Sequence, residues 1–127
     1  MRLDPFEHVN SRPFSISRAE VLRIHGTPQR EFRNEIGLDE LDYGVVVYRF
    51  QASGRLEEVT VHAPVVHLGA VSVPFASLDV FVREQDPSSF RRAGFLISPR
   101  FGLAFDATEP SWVTALARHC VAQWEAL

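Results

Sequence analysis

Tyr43-Gly44-Val45-Val46-Val47-Tyr48-Arg49-Phe50 is the stretch on which the reading of this chain turns. β-Branched and aromatic residues fill it almost throughout, a composition that suits a pleated, packed surface. Gln51-Ala52-Ser53-Gly54 follows as a short turn, and Arg55-Leu56-Glu57-Glu58-Val59-Thr60-Val61 returns as a second strand. The first strand is apolar on both faces and is expected in the middle of a sheet. The second carries charge and is expected nearer an edge, half exposed.

Upstream, Ser17-Arg18-Ala19-Glu20 fits the Ser-x-x-Glu capping box, with Ser15 as the other candidate cap. Ala19, Val21, Leu22 and Ile24 carry a helix to Gly26, where Thr27-Pro28 stops it. Residues 29–42 show no clear period and read as a solvated loop or a frayed short helix. Residues 1–13 read as an irregular lead or a short edge strand. Downstream, extended stretches at 65–68 and 71–73 are split by Gly69 and bounded by Pro64 and Pro74. Pro74 then opens a helix with Phe75, Leu78, Phe81 and Val82 on one stripe, ended by Asp86-Pro87. Residues 95–98 and 103–106 form a second hairpin around Pro99-Arg100-Phe101-Gly102. A last helix is predicted from Thr108-Glu109-Pro110 through Trp112, Leu116, Cys120 and Trp124, spaced by four. So apolar a helix is expected across a sheet or a partner.

These elements assemble into a single α+β domain over residues 1–127. The expected architecture is an antiparallel sheet of about five strands, built from two helix-hairpin units, with the C-terminal helix packed on it. Pro13-Phe14-Ser15 before the first helix is echoed by Pro74-Phe75-Ala76 before the second, which hints at a duplicated unit.

Composition bounds the function. The 127 residues are 46% hydrophobic and 23% charged, with ten Phe and two Trp, enough to bury a core without a metal or disulfide staple. Cys120 is the single cysteine, so no internal disulfide forms and an oxidising compartment is not demanded. Met1-Arg2-Leu3-Asp4-Pro5-Phe6-Glu7 lacks the apolar core of a signal peptide, and the cytoplasm is the expected location. No stretch has the apolar length of a membrane span. Every basic residue is Arg and the net charge is −3, which argues against a nucleic-acid partner.

No catalytic constellation emerges. Gly-x-Ser-x-Gly, Gly-x-Gly-x-x-Gly and P-loop motifs are absent, and no histidine pair has metal-ligand spacing. Ser88, His119 and Asp106 carry the residue types of a triad without its signature. Cys120 follows His119 directly, and helix neighbours point about 100° apart, so a buried structural thiol is the expected role. Glu57 and Glu58, adjacent in a strand, face opposite sides of the sheet and make no acid-base pair. The chain is therefore expected to be no enzyme and to need no metal or cofactor.

The segment Asn34-Glu35-Ile36-Gly37-Leu38-Asp39-Glu40-Leu41-Asp42 holds four carboxylates and no cation. It reads as a solvated loop or as an acidic recognition surface that steers a basic partner. The layout of residues 17–61, Ser-Arg-Ala-Glu-Val-Leu, His-Gly-Thr-Pro, then the hairpin, resembles the helix-Gly-x-Pro-hairpin unit of the SmpA and β-lactamase-inhibitor-like proteins. That resemblance implies a small α+β module binding other proteins through its sheet and loops. The lipid-attachment cysteine of the outer-membrane members is missing. The whole chain also resembles, in type, the small acidic immunity proteins encoded beside bacterial secreted toxins, including type VI and Rhs-associated ones. That implies a cognate toxin as partner, neutralised by capping its active site.

The expected contact set is Glu35, Asp39, Glu40 and Asp42 with Tyr43 or Tyr48, plus the hairpin edge at Arg55, Glu57 and Glu58. A secretion chaperone or adaptor for an effector is the alternative, with the apolar final helix as a homodimer face. A small ligand-binding domain with a Phe-lined pocket is the third.

Overall fold

The computed structural model describes residues 1–127. In chain order the elements are β1 (Arg2–Asp4), β2 (His8–Val9), β3 (Arg12–Pro13), α1 (Arg18–His25), β4 (Arg30–Arg33), β5 (Asp39–Asp42), β6 (Val46–Phe50), β7 (Leu56–His62), β8 (Val65–Leu68), β9 (Val71–Pro74), α2 (Phe75–Gln85), β10 (Phe90–Arg92), β11 (Phe95–Ser98), β12 (Leu103–Phe105), β13 (Trp112–Leu116) and α3 (Cys120–Glu125). The molecule is mostly β. It has a five-stranded sheet in the order β3-β2-β1-β8-β9 and an eight-stranded sheet in the order β10-β11-β12-β13-β7-β6-β5-β4.

This overturns the expected five-stranded sheet of two helix-hairpin units. α1 and α2 are each followed by a four-strand antiparallel meander and preceded by a short hairpin. The last strands of the two meanders, β7 and β13, pair antiparallel and join them into one sheet, with Thr60 opposite Thr114. The charged strand β7 is thus central, with β6 on one side and β13 on the other.

Three further stretches depart from expectation. Residues 29–42 are a hairpin, β4–β5, at the outer edge of the large sheet. All four residues of β4 are exposed and only Leu41 of β5 is buried, so no alternating apolar pattern marked it. Charged side chains on such an edge discourage pairing with another chain. The last helix is only α3, because residues 112–116 are strand β13. Trp112 and Leu116 share one face in either conformation, since a spacing of four satisfies both the strand and the helix period. Val113 and Thr114, β-branched, favour the strand. Residues 1–13 supply three strands, of which β1 is internal and runs parallel to β8.

The local signals for α1 and α2 hold. The Ser17 hydroxyl accepts from the Glu20 amide, and the Glu20 carboxylate accepts from the Ser17 amide. Gly26 ends α1 at a φ of 77°, where other residues are strained. The small sheet, α1 and α2 all pack on one face of the large sheet. There Leu3, Val21, Phe50, Val59, Val66, Leu78, Phe105 and Val113 form one continuous core. α3 lies on the opposite face, at the β11–β13 end only, over Ile97, Ala104 and Leu116. No helix is long and apolar enough to cross a membrane.

Asp86 anchors the end of α2. Its buried carboxylate accepts from the Ser88 amide (2.9 Å), the Ser98 hydroxyl (2.7 Å) and the Arg100 amide (3.1 Å), as well as the Ser88 hydroxyl. Burial pushes its pKa up, but the hydrogen bonds from Ser88, Ser98 and Arg100 outweigh that, and the net shift is downward. A depressed carboxyl contributes stability above its unfolded pKa that is lost as pH falls through the folded value. Asp86→Ala is expected to cost about 3 kcal/mol at neutral pH in urea denaturation. It should also flatten the loss of stability on the acid side of the ordinary aspartate range.

Candidate functional site

The face of the large sheet turned away from the core is covered by α3 at one end only. Between α3 and the edge strands lies a cleft of about 400 Å³, lined by Arg49, Glu58, Thr60, Phe95, Asp106, Glu109, Trp112, Thr114 and Trp124. Strand alternation explains the floor. Glu58 and Thr60 point into the cleft from β7, while Val59 and Val61 point into the core. Trp112 and Thr114 point into it from β13, while Val113 and Ala115 are core.

The floor is a continuous polar ladder across strands β5, β6, β7 and β13. Glu40, Arg49 and Glu58 are successive cross-strand partners. Arg49 sits 3.2 Å from Glu40 and 3.5 Å from Glu58, and donates to the Thr60 hydroxyl at 2.6 Å. The Thr60 and Thr114 hydroxyls are 2.8 Å apart, across the seam between the two meanders. The walls are aromatic. Trp124 of α3 packs on Phe95 (ring centroids 5.3 Å), and Trp112 meets His62 edge-on (5.0 Å).

Carboxylates outnumber the cation. Glu58, Asp106 and Glu109 line the cleft against Arg49 alone. Burial raises the Glu58 pKa, Arg49 opposes this, and the neighbouring Glu40 and Glu57 add to it. Asp106 accepts from the Thr108 amide and hydroxyl, which lowers its pKa. The lining favours positive over negative charge. The aromatic faces attract a cation through their quadrupoles and the carboxylates supply counter-charge.

The expected contact residues are distributed rather than gathered. Glu58 alone lines the cleft, with Glu40 behind Arg49. Glu35 is exposed in the β4–β5 turn, Asp39 pairs with Arg33, and the Asp42 carboxylate accepts from the Gly44 amide. Asn34 closes that turn, its side-chain oxygen accepting from the Ile36 and Leu38 amides. Tyr43 donates to the Gly26 carbonyl, and Tyr48 is buried with its hydroxyl 3.1 Å from His25. Tyr48 therefore presents no ring to a partner. Arg55 reaches Glu57 at 3.3 Å. The expected opposition of Glu57 and Glu58 fails. A β-bulge leaves Glu57 unpaired between Leu56 and Val59, both core residues. Its side chain, 2% exposed rather than solvated, bonds His119 and Cys120 at the start of α3, on the cleft's own face of the sheet.

Trp112, Trp124, Phe95, Asp106 and Glu109 carried no sequence signal as a group. Only the β-branched run at Val113-Thr114 could have placed Trp112 on the strand face that carries Thr114. Ser88, His119 and Asp106 do not meet: Ser88 bonds Asp86, His119 bonds Glu57, and Asp106 bonds Thr108. Cys120 is buried and donates to Glu57, and burial together with that carboxylate pushes its thiol pKa far up. It is no free nucleophile. The chain matches no family model, no curated protein and no solved structure.

Arg49 is the charge on which the ladder depends. A raised Glu58 pKa contributes stability below the unfolded glutamate value that is lost as pH rises through the folded one. Arg49→Met removes the one group that opposes this shift. The Glu58 titration followed by carboxyl NMR should move upward, and the variant should lose more stability than wild type between the acid range and neutrality.

Proposed function

We propose that this chain is a protein inhibitor of the immunity type, which neutralises a partner by seating a basic, protruding segment of it in the cleft. The observation that carries this reading is the uncovered half of the large sheet's outer face. It is a concavity with aromatic walls and a surplus of carboxylates, built on a rigid eight-stranded platform. Indole rings and buried counter-charge are what dominate the energetics of protein interfaces. A toxin whose active site handles an anionic substrate exposes basic side chains, and occupation of these by Glu58 and Glu109 would block it. The β4–β5 hairpin, with Glu35 and Ile36 exposed at its turn, extends the rim and suits long-range steering.

A second reading is favoured by the cleft's size. About 400 Å³ lies within the range of small-molecule sites, so a free organic cation is the other candidate occupant. The expected homodimer through the C-terminal helix has less to recommend it. α3 spans six residues, and its Cys120, Val121 and Trp124 already pack within the chain.

The test is inhibition and binding with the product of the adjacent reading frame. One-to-one binding that abolishes its activity supports the inhibitor. Thermal stabilisation by guanidinium- or ammonium-bearing small molecules, without such inhibition, supports the ligand site. For the inhibitor, Trp112→Ala and Trp124→Ala are each expected to weaken binding by about 30-fold or more, as central aromatic anchors do. Glu58→Gln should weaken binding at neutral pH, and wild-type affinity should fall as acid protonates Glu58, measured by calorimetry across pH. Charge reversal at Glu35 and Asp39 should slow association more at low salt than at high salt in stopped-flow measurements. Undiminished binding in both tryptophan variants would remove the cleft from the interface.

A further inference from the structure

Beside the cleft, where the chain turns into α3, the fold brings together three side chains that the cleft does not use. Glu57 comes from the centre of the large sheet, and His119 and Cys120 come from the start of α3, some 62 and 63 residues away. The Cys120 Sγ lies 3.0 Å from Glu57 Oε2, and the same oxygen accepts from His119 Nε2. The potential donor atoms of the three residues all lie within 4.8 Å of one another. Adjacency in sequence argued against His119 and Cys120 acting together. The chain turn into α3 nevertheless aims both at one carboxylate oxygen.

We propose that Glu57, His119 and Cys120 form a binding site for a single thiophilic divalent ion, zinc by the chemistry of its donors. One sulfur, one imidazole nitrogen and one carboxylate oxygen make a borderline-soft set. Zinc takes these at about 2.0–2.3 Å, whereas calcium and magnesium require oxygen alone. Three protein donors leave a fourth position, and His119, 32% exposed at its side chain, provides the approach from solvent. Glu57, at 2% exposure, and Cys120, at 4%, form the closed wall.

The surrounding groups fit this role. Arg55 holds the second carboxylate oxygen, Oε1, at 3.3 Å, which leaves Oε2 to the ion and fixes the carboxylate's orientation. On binding, the thiol proton leaves to solvent and the sulfur electron pair goes to the ion. The imidazole carries its proton on Nδ1 and binds through Nε2. The carboxylate and the thiolate together cancel the two positive charges of the ion, so the buried centre is neutral. The physical consequence is a clamp. α3 has no side-chain N-cap, and the ion would tie its first residue to the central strand.

The experiment uses the tag-free, reduced full-length chain titrated with Co(II) and then Zn(II). Expected are one ion per chain, a thiolate-to-cobalt charge-transfer absorption, its displacement by zinc, and a rise in Tm with zinc that a chelator reverses. Cys120→Ser should abolish the absorption. His119→Ala, at a partly exposed position that leaves the core intact, should weaken binding by more than about 100-fold, beyond what an outer-shell partner costs. Glu57→Gln should weaken it as well, with circular dichroism confirming that each variant is folded. Absence of the absorption in the folded wild-type chain would overturn the site. So would cobalt affinity unchanged in His119→Ala and Glu57→Gln, which would mean capture by a thiol alone.

Discussion

The pairing of β7 with β13 is the contact on which the rest of the molecule rests. Each meander alone is a four-stranded sheet with two open edges. Joined at this seam, through five cross-strand residue pairs from Trp112–His62 to Leu116–Glu58, they become one continuous platform with both inner edges satisfied. The core side of the seam is apolar, Val59 and Val61 against Ala115 and Val113. The other side carries Thr60 against Thr114, His62 against Trp112, and Glu58 against Leu116, which α3 covers. A shift of register by one residue would exchange these faces and bury the threonines and Trp112 against the helices. Register at this one junction therefore decides both the core and the cleft.

Coverage of the two faces is unequal. The small sheet, α1 and α2 pack on one side, and α3 covers only part of the other. What α3 leaves open would be an exposed sheet face, a form that antiparallel sheets tolerate when it is polar. Here it is polar by way of the Glu40–Arg49–Glu58 row and the paired threonines, yet it also carries Trp112, with Trp124 and Phe95 at its side. Aromatic side chains over a half-buried charge row are costly to leave wet and gain from being covered. That is the physical argument for an occupant.

Two consecutive residues of β7 also hold two kinds of chemistry. Glu58 looks into the cleft among groups that raise its pKa, and Glu57, set off by a β-bulge, turns to the start of α3 among donors that lower its own, despite burial. Neighbours in sequence thus sit in opposite electrostatic settings. The β-bulge at Glu57 separates them; the partners that set each environment arrive from β6, β5 and α3.

Much of the local structure was legible in the residues themselves. The capping box at Ser17–Glu20, the stop at Gly26, the proline start of α2, the turns at Gly54 and Gly69, and the hairpins around them are set by contacts within a few positions. What was illegible lacked a local signature. The β4–β5 edge is charged on both faces, the strand at β13 shares its spacing of four with a helix, and β1 takes its place only because β8 runs beside it. The site followed the same division. Glu57 and Glu58 were expected to face apart because a strand alternates, and the β-bulge that breaks the alternation at Glu57 left no mark in the residues. That one would meet His119 and Cys120, and the other Arg49, Trp112 and Trp124, depended on which strands became neighbours. No spacing along the chain encodes that choice, because it is made by the burial of apolar faces that lie far apart in sequence.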